Sequence, residues 1–137
     1  MKFVNRQFGE LEFDEKHVLE FPGGVIGFGE FRRFLIVDDE DTQPFRWLVS
    51  LEDADLSFAM IEPGLVVSGY EPTYFKNEDV TVFLFVALKE PVEGSTLNLR
   101  SPLVIDNHSR VGRQVILDDE TLMMKYPLFT RSAELVE

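Results

Sequence analysis

Gly23, Gly24, Gly27 and Gly29 crowd one short stretch, and glycine is the residue that lets backbone N–H groups close around a phosphate. They fit neither G-x-G-x-x-G nor a loop ending in glycine-lysine-serine/threonine, and no strand-to-helix context surrounds them. The stretch reads instead as a tight turn and crossover that Phe21 and Phe28 anchor to the core. Asp38-Asp39-Glu40-Asp41 offers hard oxygen ligands. It lacks the alternating spacing, central glycine and closing glutamate of a calcium loop, so it reads as a solvated surface loop. His17 and His108 are the only histidines, far apart and with no cysteine to assist, which leaves a zinc site without ligands. No metal or cofactor is expected.

None of Ser50, Ser57, Ser68, Ser95, Ser101, Ser109 or Ser132 lies in G-x-S-x-G, and two histidines leave little choice of general base. The 25 acidic residues guarantee that some carboxylates lie close together. A small carboxylate-based hydrolase with its site in a barrel cleft therefore stays open, and it predicts a concave pocket holding two acids with abnormal pKa values. The other side chains point to no enzyme. What remains are apolar groups that a small domain struggles to hide: Trp47, Tyr70, Tyr74, Phe75 and the tail Leu122-Met123-Met124-Lys125-Tyr126-Pro127-Leu128-Phe129. Methionine and aromatics together suit an adaptable protein-binding surface. Core packing is the reading for Trp47, and the tail is expected to cover a sheet edge, with partner contact as its alternative.

The elements that position these residues are short. Glycine and proline punctuate apolar runs at close intervals, as in an all-β sandwich or barrel. Strands are predicted near Lys2–Asn5, Gly9–Phe13, Val18–Phe21, Phe34–Asp38, Phe45–Ser50, Phe58–Glu62, Val80–Lys89, Ser95–Leu99, Leu103–Asp106 and Val111–Leu117. The run from Val80 to Leu88 is β-branched and aromatic on both alternating faces, which suits a central strand covered from two sides. Asp106-Asn107-His108-Ser109 is a turn signal that makes Leu103–Leu117 a hairpin, with Gly112 a candidate bulge. Helix is scarce: one turn over Glu30–Leu35 and another in the tail from Asp118 are the only candidates. The fold class is all-β, a small barrel-like or sandwich arrangement of short, mostly antiparallel strands with little helix.

A chain of 137 residues, 45% hydrophobic and 28% charged, is one ordinary globular domain over 1–137. Its thirteen phenylalanines should dominate the core. The start Met1–Arg6 has no long apolar run, and no stretch approaches the roughly 18 to 20 residues of a membrane span, so a cytoplasmic location without membrane contact is expected. A net charge of −12 repels phosphate backbones, which disfavours direct nucleic-acid binding. The charge is uneven. Asp38 to Glu71 holds nine acids and one base, whereas Asn98 to Ile116 holds three arginines and one acid.

Several segments together resemble the FliW family of flagellar assembly factors. They are Phe8-Gly9-Glu10-Leu11, Phe21-Pro22-Gly23-Gly24-Val25-Ile26-Gly27-Phe28, Phe45-Arg46-Trp47-Leu48-Val49-Ser50-Leu51-Glu52 and Leu56-Ser57-Phe58-Ala59. The most specific pair is Leu97-Asn98-Leu99-Arg100-Ser101-Pro102-Leu103-Val104-Ile105-Asp106 followed by Gly112-Arg113-Gln114-Val115-Ile116-Leu117. They keep the family's order across nearly the whole chain. The resemblance implies a non-enzymatic, barrel-like adaptor and chaperone that binds the translational regulator CsrA away from its RNA site and also binds flagellin. Flagellin translation is then coupled to export by partner switching, and the free adaptor is expected to be a monomer. The partner-facing residues expected are Tyr70, Glu71, Asn98, Leu99, Arg100, Pro102, Asn107, Arg113 and Gln114. Two departures from the family pattern stand out. Only Thr73 to Asp79 follow Tyr70-Glu71-Pro72 where the family has a longer acidic, helix-like stretch, so that helix is expected to be missing. The aromatic that follows the last strand also comes late, at Tyr126. A third class, a structural subunit that self-assembles through its aromatics, predicts oligomers in solution.

Overall fold

The computed structural model describes residues 1–76 and 78–129. Eleven strands and one short helix follow in order: β1 (Lys2–Asn5), β2 (Gly9–Glu12), β3 (Leu19–Glu20), β4 (Arg33–Asp38), β5 (Arg46–Ser50), β6 (Ser57–Ile61), α1 (Tyr70–Tyr74), β7 (Val80–Ala87), β8 (Thr96–Leu97), β9 (Leu103–Asp106), β10 (Gly112–Gln114) and β11 (Tyr126–Pro127). β1 and β2 form their own hairpin, and the other nine strands make one sheet in the order β10-β9-β7-β6-β5-β4-β3, with β8 paired to β7 and β11 to β8 off that path. Every strand pair is antiparallel. The two ends of that order nearly meet. Glu20 and Val111 form a lone parallel bridge, where the Glu20 N–H donates to the Arg110 carbonyl at 3.1 Å. The sheet thus curls toward a barrel and stops short of closing one.

β7 is the spine that its composition predicts. Phe83 and Phe85 point into one core with Leu19, Phe21, Val25, Phe34, Leu48, Met60, Leu103 and Ile105. Val82, Leu84 and Val86 point the opposite way, toward Ile61, Tyr70, Phe75, Leu97, Leu99 and Val104. This two-sided burial follows from the strand's period of two. Trp47 belongs to a third cluster with Val49 and Ala59, which the β1–β2 hairpin covers with Phe8 and Leu11. Its indole N–H donates to Thr42 Oγ1 at 3.0 Å, so core packing is its role.

One edge of β7 carries two partners. Its first half pairs with β9, Val80 to Phe83 against Asp106 to Leu103. Its second half pairs with β8 through Val86↔Leu97 and Ala87↔Thr96. Asn98 to Pro102 is the link where the neighbouring chain leaves one pairing and takes up the next.

Several expectations need correction. Glu30–Leu35 forms no helix, because Phe34 and Leu35 are needed inside β4, where they pair with Ser50 and Val49. The segment after Asp118 is not helical either; it runs as turns into β11, which pairs with β8 through Tyr126↔Leu97 and Pro127↔Thr96. A helix does occur where none was expected, the five residues of α1, drawn into place by the burial of Tyr70. Gly112 is also no bulge. It pairs in regular register with Ile105, and glycine is required because a Cβ there would meet the Phe21 ring at 2.3 to 2.8 Å. The hairpin strand is shorter than the sequence suggests, but its continuation stays bonded: the Val115 and Leu117 N–H groups donate to the Pro102 and Arg100 carbonyls at 3.0 and 2.8 Å.

Candidate partner-binding surface

The segment Asn98–Pro102 lies at the centre of the candidate surface. Asn98 Oδ1 accepts the Arg100 N–H at 2.9 Å, a local turn that asparagine makes readily, and the Asn98 N–H donates to the Phe85 carbonyl at 3.1 Å. Leu99 is buried, and its N–H reaches the Met123 carbonyl at 3.0 Å. Pro102 is buried as well. Arg100 is half-buried, with its Nε shielded and unpartnered among the described residues.

α1 braces this segment from behind. The Tyr70 hydroxyl donates to the Leu99 carbonyl, and the side chain is only 3% exposed. Burial, with Tyr74 beside it, pushes the phenol well above its ordinary value. Glu71 lies in the same turn of helix. Tyr74 donates to Asp119 Oδ2 at 2.6 Å, a bond that raises the phenol. Asp119 also accepts the Thr121 hydroxyl and N–H at 2.5 and 3.0 Å, and these bonds, with that from Tyr74, hold its carboxyl below the usual range.

The hairpin tip is a second polar cluster. Asp106 Oδ1 accepts the His108 and Ser109 N–H groups at 2.8 and 2.9 Å, which keeps its carboxyl low. Asn107 donates to Asp79 at 2.9 Å and accepts from Thr81 at 2.7 Å. Bonding from Asn107, reinforced by His108, lowers the Asp79 carboxyl. Arg113 is exposed and pairs with Glu78 at 3.2 Å. Gln114 is a clamp: its Oε1 accepts the Ile26 N–H at 2.9 Å and its Nε2 donates to the Ser101 carbonyl at 3.1 Å. That ties the glycine-rich loop to the hairpin. Within the loop Gly24 has φ +69, and its missing Cβ would sit 2.5 Å from Gly29 Cα, so the crossover is as tight as its glycines suggest.

Of the nine residues expected to face partners, Asn107 and Arg113 are exposed and Asn98, Arg100 and Gln114 half-buried, whereas Tyr70, Leu99 and Pro102 are inside; the side chain of Glu71 lies outside the described ones. The hairpin's arginines are also separately engaged, Arg113 by Glu78 and Arg110 by the His17 carbonyl at 3.2 Å. The largest exposed apolar groups near Asn98–Pro102 lie elsewhere, at Ile116, Met123 and Met124, 68%, 49% and 56% exposed. Beyond them a cleft of about 370 Å³ is lined by Leu65, Val66, Tyr126, Leu128 and Phe129. The methionine-aromatic composition of the tail is the one sequence signal that pointed there.

This surface offers little to catalysis. No acid lines the cleft, and no group of three or more histidines and acids fit to hold a metal occurs among the described residues. Glu52, Asp79, Asp106 and Asp119, the carboxylates with clearly displaced pKa values among the described residues, all move down. A general acid needs the opposite shift, so nothing here supports the hydrolase alternative. No described helix is long and apolar enough to cross a membrane.

Such a molecule, a curled antiparallel sheet whose conspicuous surface features are apolar strips and hydrogen-bonded turns, is of the class of small all-β proteins. Its sequence matches the family model described as FliW protein over residues 2–128, and the chain belongs to the FliW family. A flagellar assembly factor FliW from Caldicellulosiruptor bescii is 38% identical over 135 residues, covering 91% of this chain and 88% of the relative. One from Thermosipho africanus is 36% identical, covering 93% of this chain and 95% of the relative. A crystal structure of the flagellar assembly factor FliW superposes with a TM-score of 0.84 at 29% identity, covering 96% of this chain and 99% of the other.

Proposed function

We propose that this chain is a flagellar assembly factor that acts without chemistry, as a cytoplasmic adaptor that binds CsrA and flagellin in turn. The observation that carries the reading is the family match over residues 2–128, which takes in the sheet, the Asn98–Pro102 link and the closing strand. In this scheme the free, monomeric adaptor binds CsrA away from its RNA site and relieves repression of flagellin translation. Unexported flagellin then captures the adaptor and returns CsrA to its messenger. The net charge of −12 supports the pairing, because a regulator that binds RNA carries basic surface and complementary charge raises its association rate. The same acidity keeps the adaptor off the RNA itself. In this reading Asn107 and Arg113, with the accessible parts of Asn98, Arg100 and Gln114, touch the partner, and the buried Tyr70, Leu99 and Pro102 support them from inside.

Mixing the chain with CsrA and with flagellin, followed by size exclusion and calorimetry, tests this. Two separate complexes are expected, and titration into RNA-bound CsrA should release the RNA. Failure to bind either protein at micromolar concentration sinks the proposal.

A further inference from the structure

The cleft at the end of the described chain is not among the residues that the family motif singles out. Its walls are Leu65 and Val66 on one side and Tyr126, Leu128 and Phe129 on the other. Leu65 is 59% and Phe129 43% exposed, and the chain leading in presents Met123 and Met124. A volume of about 370 Å³ lies at the low end of small-molecule sites, but such sites fix their ligand with several converging polar groups. Tyr126 is the only lining residue here with a polar side-chain atom. An open trough walled by aliphatic and aromatic side chains suits a few side chains of a larger partner.

We propose that this cleft is a docking groove for one amphipathic helix of a partner protein, its apolar stripe seated in the groove and lysine or arginine side chains along its flanks. The proposal rests on the adaptor reading and adds where, and in what form, a partner segment is held.

The edge of the sheet argues for a helix over an added strand. β11 spends its inward backbone groups on β8, through the Tyr126↔Leu97 pairing and the Leu128 N–H that donates to the Ser95 carbonyl at 3.0 Å. Pro127 falls between those bonds, facing outward, and has no N–H to offer. Proline on an edge strand blocks further pairing. A helix brings a backbone already satisfied and presents side chains alone.

Charge sets the flanks. Glu62 heads the turn that carries Leu65, Glu93 lies in the turn whose capping residue Ser95 bonds Leu128, and Asp118 and Glu120 precede the methionines; all four are exposed. Lys89 and Lys125 are the exposed bases nearby, and Arg46 is taken up by Asp38 at 2.5 Å and Glu62 at 3.9 Å. With a net charge of −12 behind this rim, a basic helix is attracted and an acidic one opposed.

Two idealised helical peptides with the same leucine stripe, one completed with lysine and one with glutamate, probe the groove by calorimetry on the full chain. The lysine peptide should bind. Phe129→Ser and Leu65→Ser keep the net charge and should each weaken it at least about tenfold, while Val4→Ser, an exposed apolar position on the separate hairpin, should bind like the parent. Equal binding by the glutamate peptide, or parent-like binding by both groove variants, overturns the proposal; the latter means charge attraction alone. A dimer that Phe129→Ser dissociates, with no peptide binding, assigns the groove to a second copy and overturns it too. Titrating the same variants with CsrA and flagellin keeps the two readings apart. If the parent chain binds neither, the adaptor reading fails; if parent and Phe129→Ser bind both equally well, only the groove fails.

Discussion

The hairpin of β9 and β10 and the ribbon from Asp118 to Phe129 are both hydrogen-bonded to the segment Asn98–Pro102, yet they spend their side chains in opposite ways. The hairpin turns Leu103, Val104 and Ile105 inside, seats Gly112 on the Phe21 ring and uses Gln114 to hold the glycine-rich loop. The ribbon is pinned through Asp119, Leu122, Tyr126 and Leu128 and turns Met123, Met124 and Phe129 toward solvent. A motif that is specific in sequence can therefore be mainly architectural. The residues free to meet another protein can lie in a stretch whose pattern is loose, since adaptable apolar contacts demand composition more than spacing.

Variants can break this comparison, beginning with the hairpin's support. Phe21→Ala, at a fully buried position, should lower stability by about 3–5 kcal/mol in denaturant titration. Gly112→Ala should cost about 1–3 kcal/mol by crowding the same ring. In the Phe21→Ala background that penalty should largely vanish, because the two positions share one contact; an unchanged penalty would mean that the ring is not what excludes a side chain. Tyr70→Phe strands the Leu99 carbonyl and should cost about 1–3 kcal/mol.

That variant also has a pH signature. The Tyr70 phenol is raised in the folded chain by burial, so above about pH 10 the unfolded chain ionises while the folded one cannot. Stability should be fully present below that pH and fall as the pH climbs beyond it. Tyr70→Phe should flatten this alkaline limb, and an unaltered limb would place the effect at another tyrosine. Asp119 works in the reverse sense. Its lowered carboxyl contributes stability above about pH 4 that is lost as acid protonates it, so Asp119→Asn should shrink the acid limb measurably. The smallest effect belongs to the ribbon's outer face: Met124→Ser should leave the melting profile within about 0.5 kcal/mol of the parent.

β7 was legible because Val80 to Leu88 is apolar on both faces, and only two-sided burial stabilises such a strand. The turn at Asp106 and the crossover at Gly24 were legible because asparagine, aspartate and glycine have few other uses at such spacing. α1 was not, since five residues with Pro72 among them carry no helical period, and what holds them is a tertiary contact, the Tyr70 hydroxyl on Leu99. β11 was hidden for a similar reason: it is two residues long, includes a proline, and exists because β8 offers it an edge. Tyr70 looked like a surface aromatic because sequence gives no direction to a side chain on so short a helix. Gly112 looked like a bulge because the ring that excludes its Cβ lies far away in the chain.

The contact between Phe21 and Gly112 has a consequence for how the protein can vary. Sliding β10 by one residue would bring Val111 or Arg113 over the ring and turn the strand's faces over. The turn between β9 and β10 is therefore free to change its residues but not its length by one, because the ring reads the count. Across natural or engineered variants, single insertions should be rare between Asp106 and Gly112 and commoner after Gln114, where no aromatic ring keeps the tally.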